Sequence, residues 1–187
     1  VILGDNIFYG NQLVQSLEES LNNNDGCTIF TYRVDNPSDY GIISYKKNQP
    51  YKIIEKPKKS KSNQAITGLY IFDKNAFKYS KNVKFSKRGE LEITFLLNEY
   101  LKRKKIYIKD LGRGTTWLET GSFENLNNAS QFIYIIEKRQ GLKISCPEEI
   151  AYRKGWIGKN KLKELISKYS HNDYSLYLQN LIQNENL

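Results

Sequence analysis

The sequence predicts an α/β protein, a sheet core followed by a C-terminal helical cap. Two observations carry this expectation. Over the first two-thirds of the chain, short β-branched and aromatic runs alternate with stretches whose apolar positions recur at helical spacing. After Gly141 only helical patterns follow, so the last third offers no further strand. The composition agrees: with 187 residues, 39% hydrophobic and 26% charged, the chain can bury a core without disulfide or metal staples. No apolar run approaches the roughly 18 residues that a membrane helix needs. The opening residues also lack the charged-then-apolar pattern of a secretory signal, so a cytoplasmic protein is expected.

Residues 1–3 are a short apolar run and read as a central parallel strand. The chain has no methionine, and opening inside such a strand leads to the expectation that it is the C-terminal portion of a longer protein. Residues 12–22 carry Leu13, Leu17 and Leu21 four apart, an amphipathic helix that the turn residues 23–26 stop. Residues 27–34 read as a strand, 35–40 as a loop around Pro37, and 41–46 with 51–55 as a hairpin about residues 47–50. A lysine-rich loop, 57–63, leads to a strand over 66–72, where Gly68 signals a bulge or a close backbone approach. A short helix over 74–81 precedes a longer one over 90–105, with Leu91, Phe95 or Thr94, Asn98 and Leu101 facing inward. Residues 106–111 form a strand, and 112–121 an irregular segment around Trp117. A long helix over 123–139 turns Leu126, Ala129, Ile133 and Ile136 inward. The cap helices are 147–154, 159–168 and 174–183, which places the domain boundary between residues 1–140 and 141–187.

The net charge of +9 suits an anionic substrate, a sugar phosphate or a nucleotide. Lysines bunch at Lys56, Lys58, Lys59 and Lys61 and again over 102–105, but no nucleic-acid motif accompanies either bunch. The second bunch closes a helix, where cations complement the dipole. Neither nucleic acid nor membrane is therefore an expected partner. Two cysteines, Cys27 and Cys146, make neither a disulfide framework nor a zinc site. A single histidine, His171, leaves no histidine-based triad or metal centre.

Four places carry candidate chemistry. Asp5 directly follows the opening strand, at the sheet edge where open α/β sheets bind ligands, and offers a hard oxygen suited to Mg²⁺; the same Gly4-Asp5-Asn6 also reads as a plain turn. Glu119 follows an apolar pair and precedes a helix. It is either a second metal-holding carboxylate or an acidic residue favoured by the helix dipole. Glu55 and Lys56 at a strand end can take sugar hydroxyls and a phosphate, or form a surface ion pair. Arg88, before a helix N-terminus, is either an anion site or ordinary helix-end chemistry, with Glu90 and Glu92 fitting the first turn.

In this order the segments resemble the sugar nucleotidyltransferase family, in particular the C-terminal portion of the glucose-1-phosphate thymidylyltransferases that make dTDP-glucose. The resemblance lies in residues 3–10 (LGDNIFYG), 40–43 (YGII), 55–57 (EKP), 65–70 (AITGLY), 88–94 (RGELEIT), 112–114 (GRG), 117–121 (WLETG) and 136–155 (IIEKRQGLKISCPEEIAYRKG). It implies a Rossmann-like mixed sheet, with residues 1–140 as the sugar-phosphate-binding half of the nucleotidyltransferase domain. It further implies Mg²⁺ on Asp5 and Glu119. Asn6, Gly41, Glu55, Lys56, the backbone of Ile66, and Arg88 would surround the sugar phosphate, and Tyr40, Thr67, Tyr70 and Trp117 would line the same pocket. The implied partners are glucose 1-phosphate, dTTP and dTDP-glucose.

The chain departs from the family pattern at several points. The N-terminal half with the triphosphate-binding loop is not in the sequence, so the chain alone is expected to be inactive. The family has Asp where this chain has Glu119, and Asp where it has Phe95. The family's C-terminal helices build a homotetramer and a second, regulatory nucleotide site. Gly10, Asn11 (His in the family), Glu149 and Ile150 match positions near it, while residues 145–148 also have the form of a capping box. A sister uridylyl- or cytidylyltransferase, and a non-catalytic sugar-nucleotide-binding or assembly fragment, are the alternative readings.

Overall fold

The computed structural model describes residues 1–22, 25–86 and 89–183. The chain forms two compact units, Val1–Asn125 and Leu126–Leu187. The first unit holds the strands β1 (Asn6–Tyr9), β2 (Cys27–Arg33), β3 (Gly41–Lys46), β4 (Gln49–Glu55), β5 (Gln64–Phe72), β6 (Ile106–Asp110) and β7 (Thr116–Glu119). Five form a mixed sheet in the order β4-β3-β5-β2-β6, and β1 and β7 form a separate two-stranded ribbon. The sheet's interior strand β2 is antiparallel to β5, the central strand, and parallel to the edge strand β6. Cys27, Ile29 and Phe30 are fully buried because β2 alternates side chains between two covered faces. On one face Cys27 and Ile29 pack with Leu96, Leu97 and Tyr100 of α3 (Ile93–Lys102). On the other, Phe30 packs with Leu69, Ile71 and Leu111 under Leu13 and Leu17 of α1 (Leu13–Asn22).

Strands β3 (Gly41–Lys46) and β4 (Gln49–Glu55) make the expected hairpin, but its turn is tighter. Lys47 and Asn48 both have positive φ, 49° and 60°, the backbone that a two-residue turn matching strand twist requires. Pro50 thus lies inside β4, which is tolerated because β4 is the edge strand. Asn98 of α3 satisfies that edge, donating Nδ2 to the Ile53 carbonyl at 2.9 Å while its Oδ1 accepts the Ile53 N–H at 3.0 Å. A short helix α2 (Ala76–Ser80) lies between β5 and α3.

Several expectations are corrected. Val1–Leu3 is not a central parallel strand. It makes one antiparallel bridge, Ile2 with Leu69, and its side chains are 70%, 57% and 44% exposed. The reason is that β5 is long: β3 meets it only at Ala65, and Val1 and Leu3 bond the backbone of Tyr70 and Gly68 beyond that point. Helix α3 begins at Ile93, so Glu90 and Glu92 precede its first turn, and it buries Thr94, Leu96, Leu97 and Tyr100 while Leu91 and Phe95 are exposed. The segment expected to be irregular holds a strand, β7 (Thr116–Glu119), paired with β1 (Asn6–Tyr9). In α4 (Phe123–Gln140) only Ala129 of the expected inward residues is buried; Ile133 and Ile136 are half-buried and Leu126 is exposed.

In the second unit α5 (Pro147–Arg153), α6 (Lys159–Ile166) and α7 (Asp173–Gln183) enclose a small core of Cys146, Leu162, Ile166, Leu178, Leu181 and Ile182. The capping box does not form. Cys146 is the N-cap without a side-chain cap bond, and the Glu148 carboxylate instead accepts the hydroxyls of Tyr169 and Tyr174. Tyr177 donates to Glu149 in the same way, so tyrosine hydroxyls tie α5 to α7.

Two outcomes follow for the first unit. Leu97→Ala, at a fully buried position, loses about 2–5 kcal/mol of stability in urea unfolding. The second concerns Asp73, whose Oδ1 accepts the Tyr100 hydroxyl at 2.6 Å. Burial opposes its charge, but hydrogen bonds from Tyr100 and Asn75 outweigh that and hold the carboxyl below its usual range. A depressed carboxyl stabilises the fold above its unfolded pKa and loses that contribution as pH falls through the folded value. Tyr100→Phe therefore costs about 1–2 kcal/mol at neutral pH, and its deficit shrinks as acid protonates Asp73, read from unfolding curves at stepped pH.

Candidate functional site

The site is set by the β1-β7 ribbon. Its register opposes Asn6 to Glu119 and Phe8 to Trp117 across 113 and 109 residues of chain. Thr120 extends the pairing, its N–H and hydroxyl donating to the Asp5 carbonyl at 2.8 and 3.2 Å. Asp5 and Glu119 thereby reach one wall of a cleft of about 620 Å³. The position that a Cβ on Gly121 would occupy lies 2.8 Å from Glu119 Oε2 and 3.9 Å from Asp5 Oδ2, so both carboxylates come within 4 Å of one point.

Neutral donors orient both groups. Trp117 Nε1 donates to Asn6 Oδ1 at 2.6 Å, and Asn6 Nδ2 donates to Asp5 Oδ1 at 2.9 Å. Indole is only a donor and an ionised carboxylate only an acceptor, so a carboxamide can bridge them and its orientation is forced. Gly68, at φ 77°, leaves the space: a Cβ there would sit 2.8 Å from Asn6 Nδ2. Glu119 Oε2 accepts the Gly121 N–H at 2.8 Å, and Oε1 accepts the Asn125 side-chain amide.

The facing wall joins the start of β3 to the end of β4. Gly41 opposes Glu55, and a Cβ on Gly41 would lie 3.2 Å from Glu55 Oε2, so the bare glycine lets that carboxylate fold over the strand. Lys56 adopts φ 39°, a left-handed backbone immediately before Pro57, and its N–H bonds the Tyr40 carbonyl at 3.0 Å. Strand β5 contributes Ile66, Thr67, Gly68 and Tyr70, and α3 contributes Ile93, Thr94 and Leu97. Burial pushes the Tyr70 phenol up, with the Glu55 carboxylate adding to it. Burial also raises Tyr40, with Glu119 and Asp39 adding to it. Both hydroxyls therefore stay protonated and can donate.

The cleft thus brings together Asp5, Asn6, Tyr40, Gly41, Glu55, Lys56, Ile66, Thr67, Tyr70, Trp117 and Glu119. Three of these differ in detail from the sequence reading. Trp117 is 9% exposed and lies tilted against Tyr40, ring centroids 5.1 Å apart and planes at 59°, with its N–H spent on Asn6. Asn6 in turn spends its carboxamide on Trp117 and Asp5. Thr67 turns its hydroxyl into the sheet, onto the Phe30 carbonyl at 3.0 Å. Arg88 lies outside the described residues. Of the four regulatory candidates, Gly10 packs against Gly114 and Thr115, and Asn11 is an exposed turn residue of the first unit. Glu149 pairs with Arg153 at 2.8 Å and Ile150 is 48% exposed, both in the second unit. The sequence reading missed Asp39, Ser122, Glu124 and Asn125, which also line the cleft. Ser122 was legible as a helix N-cap ahead of α4; the other three carry no local signal.

Electrostatically the cleft is acid-rich. Asp5, Asp39, Glu55, Glu119 and Glu124 face it, against Lys56 among the described residues. Asp5 and Glu119 are hard oxygen donors that could hold a divalent cation, water or phosphate then having to supply its other ligands, and no third His, Cys, Asp or Glu joins them among the described residues.

Residues 1–134 match the family model described as nucleotidyl transferase. The glucose-1-phosphate thymidylyltransferase of Neisseria meningitidis serogroup A is 41% identical over 98% of this chain and 64% of its own length. That of Xanthomonas campestris pv. campestris strain B100 is 43% identical over 95% of this chain and 61% of its own. The chain therefore spans about three-fifths of these relatives. Among solved structures, a Bacillus anthracis protein described as a glucose-1-phosphate thymidylyltransferase, in complex with sucrose, superposes at TM-score 0.62 with 37% identity, covering 71% of this chain and 52% of that one. An apo UDP-glucose pyrophosphorylase superposes at 0.63 with 26% identity, covering 74% and 54%. With the mixed sheet, the paired carboxylates and the facing Gly41–Glu55–Lys56 wall described, the match over residues 1–134 places this chain in the nucleotidyl transferase family.

Proposed function

We propose that the chain is the sugar-phosphate-binding part of a glucose-1-phosphate thymidylyltransferase, which joins dTTP and glucose 1-phosphate to give dTDP-glucose and diphosphate. The observation that carries this reading is that the Asp5/Glu119 pair and the Gly41–Glu55–Lys56 group line one cleft. In the reaction a phosphate oxygen of the sugar phosphate attacks the α-phosphorus of the nucleotide in line and diphosphate leaves, so the protein's contribution is positioning and charge stabilisation. Glu55 accepts hydroxyls of the hexose, which the bare Gly41 backbone allows to approach closely. Lys56, held at the turn by its bond to Tyr40, presents an ammonium to the phosphate. Tyr70 and Tyr40, kept protonated, donate to sugar or phosphate oxygens.

An anionic substrate does not enter an acid-rich cleft unaided, so the reading includes Mg²⁺ held by Asp5 and Glu119. When bound, the cation neutralises phosphate charge and polarises the phosphorus–oxygen bonds. Turnover belongs to a polypeptide of the relatives' full length. The reading also includes a homotetramer, a second nucleotide site using Gly10, Asn11, Glu149 and Ile150, and operation in the cytoplasm, where Cys27 and Cys146 stay reduced.

Glu119 in place of the family's Asp favours one other reading, a protein that binds sugar nucleotide without turning it over. The two part in a chimera carrying the N-terminal segment of the Neisseria relative ahead of this chain. The thymidylyltransferase reading expects diphosphate release from dTTP and glucose 1-phosphate, lowered at least about a hundredfold by Asp5→Asn. Activity only after Glu119→Asp supports the binding reading, and preference for UTP or CTP contradicts the base assignment. Glu55→Gln is expected to weaken glucose 1-phosphate about 10- to 100-fold in calorimetric titration, as loss of charged hydrogen bonds does; unchanged affinity removes Glu55 from the sugar site.

A further inference from the structure

Asn125 has no place in the family pattern described above, yet it touches Glu119, the cleft carboxylate at which this chain departs from that pattern. Glutamate is a methylene longer than the aspartate it replaces, so an extended Glu119 would carry its carboxylate past the position facing Asp5. Here both carboxylate oxygens are held by local donors. Oε2 rests on the Gly121 N–H at 2.8 Å, in space that a Cβ on residue 121 would take, and Oε1 accepts the Asn125 amide. Asn125 is free to do this because of how α4 starts. The Ser122 hydroxyl accepts the Asn125 backbone N–H at 3.1 Å, which is half of a capping box. In the full box the third helical residue turns its side chain back to the N-cap backbone; in this chain the Asn125 carboxamide goes to Glu119.

We infer that Asn125 is a positioning residue for a divalent cation at this site: it holds the longer Glu119 carboxylate back toward Asp5, so that glutamate serves where the family uses aspartate. This rests on the two-carboxylate cation site proposed above. The role is conditional on the glutamate. With aspartate at 119 the shorter carboxylate ends nearer the β7 backbone and no longer needs the Asn125 amide.

The test is a double-mutant cycle on the 187-residue chain, titrated with Mn²⁺ alone, the free ion being counted by electron paramagnetic resonance. Asn125→Ala is expected to weaken Mn²⁺ about tenfold beside Glu119, the usual effect of removing a partner that orients a metal ligand, and less than twofold in the Glu119→Asp background. Asn125→Leu, which keeps the volume without the amide, should behave as Asn125→Ala does. Equal weakening in both backgrounds, or none beside Glu119, overturns the inference. Asp5→Asn separates it from the reading beneath it. If Asp5→Asn abolishes binding while Asn125→Ala does nothing, the site stands and the role of Asn125 falls; if Mn²⁺ binds Asp5→Asn as tightly as the unsubstituted chain, both fall.

Discussion

The pairing of β1 with β7 is the constraint on which the cleft depends. Neither strand is long: each has four residues, and together they stand apart from the main sheet. Their antiparallel register nevertheless fixes three things at once. It opposes Asn6 to Glu119, it carries Trp117 to within hydrogen-bonding reach of Asn6, and through Thr120 it clamps the backbone of Asp5. Because strand side chains alternate, a slip of one residue would send Glu119 to the opposite face and break the Trp117–Asn6–Asp5 relay in the same step. The ribbon is held in place by packing: Phe8 and Trp117 join the cluster of Ile42 and Ala65 on the sheet. Core packing and the placement of the acidic pair are therefore parts of one arrangement.

Charge shows how far a whole-chain property can stand from a local one. The sequence carries +9, yet the cleft collects five carboxylates against one lysine among its described residues. Elsewhere lysines pair with acids on the surface, Lys109 with Glu19 and Lys161 with Glu164 among them. Such pairs contribute little to stability. The acid-rich cleft, not the basic surface, is what constrains the ligand chemistry: hydroxyl-rich and cation-bearing groups fit it, and a bare anion does not.

What could be read in advance divides along local and non-local lines. Strands β2, β5 and β6 were legible because continuous β-branched runs have few other fates, and the Gly68 break was legible because its φ of 77° and the close approach of Asn6 both demand glycine. The face of α3 was misread. Its start was placed three residues early, and a stretch with apolar residues on two sides offers two stripes; the sheet, through Ile43 and Ile53, selects the one with Leu97 and Tyr100. Strand β7 was illegible, since four residues between glycines become a strand only by meeting β1. The candidate site shows the same split. Asp5, Glu55 and Glu119 were visible as acids at element ends within family-like segments. Asn125 was not, because the third residue of a helix reads as capping until the fold brings Glu119 beside it.

The claim at the centre of this account is that the segments around Asp5 and Glu119 act on one cation together. Paramagnetic broadening of amide signals tests it most directly: substoichiometric Mn²⁺ is added to the isotope-labelled chain and the first resonances to fade are assigned. The account predicts that Asn6, Thr120 and Gly121 fade together at the lowest additions, ahead of amides near other acids such as Glu148. Fading of only one of the two segments, or broadening that begins elsewhere, would contradict it.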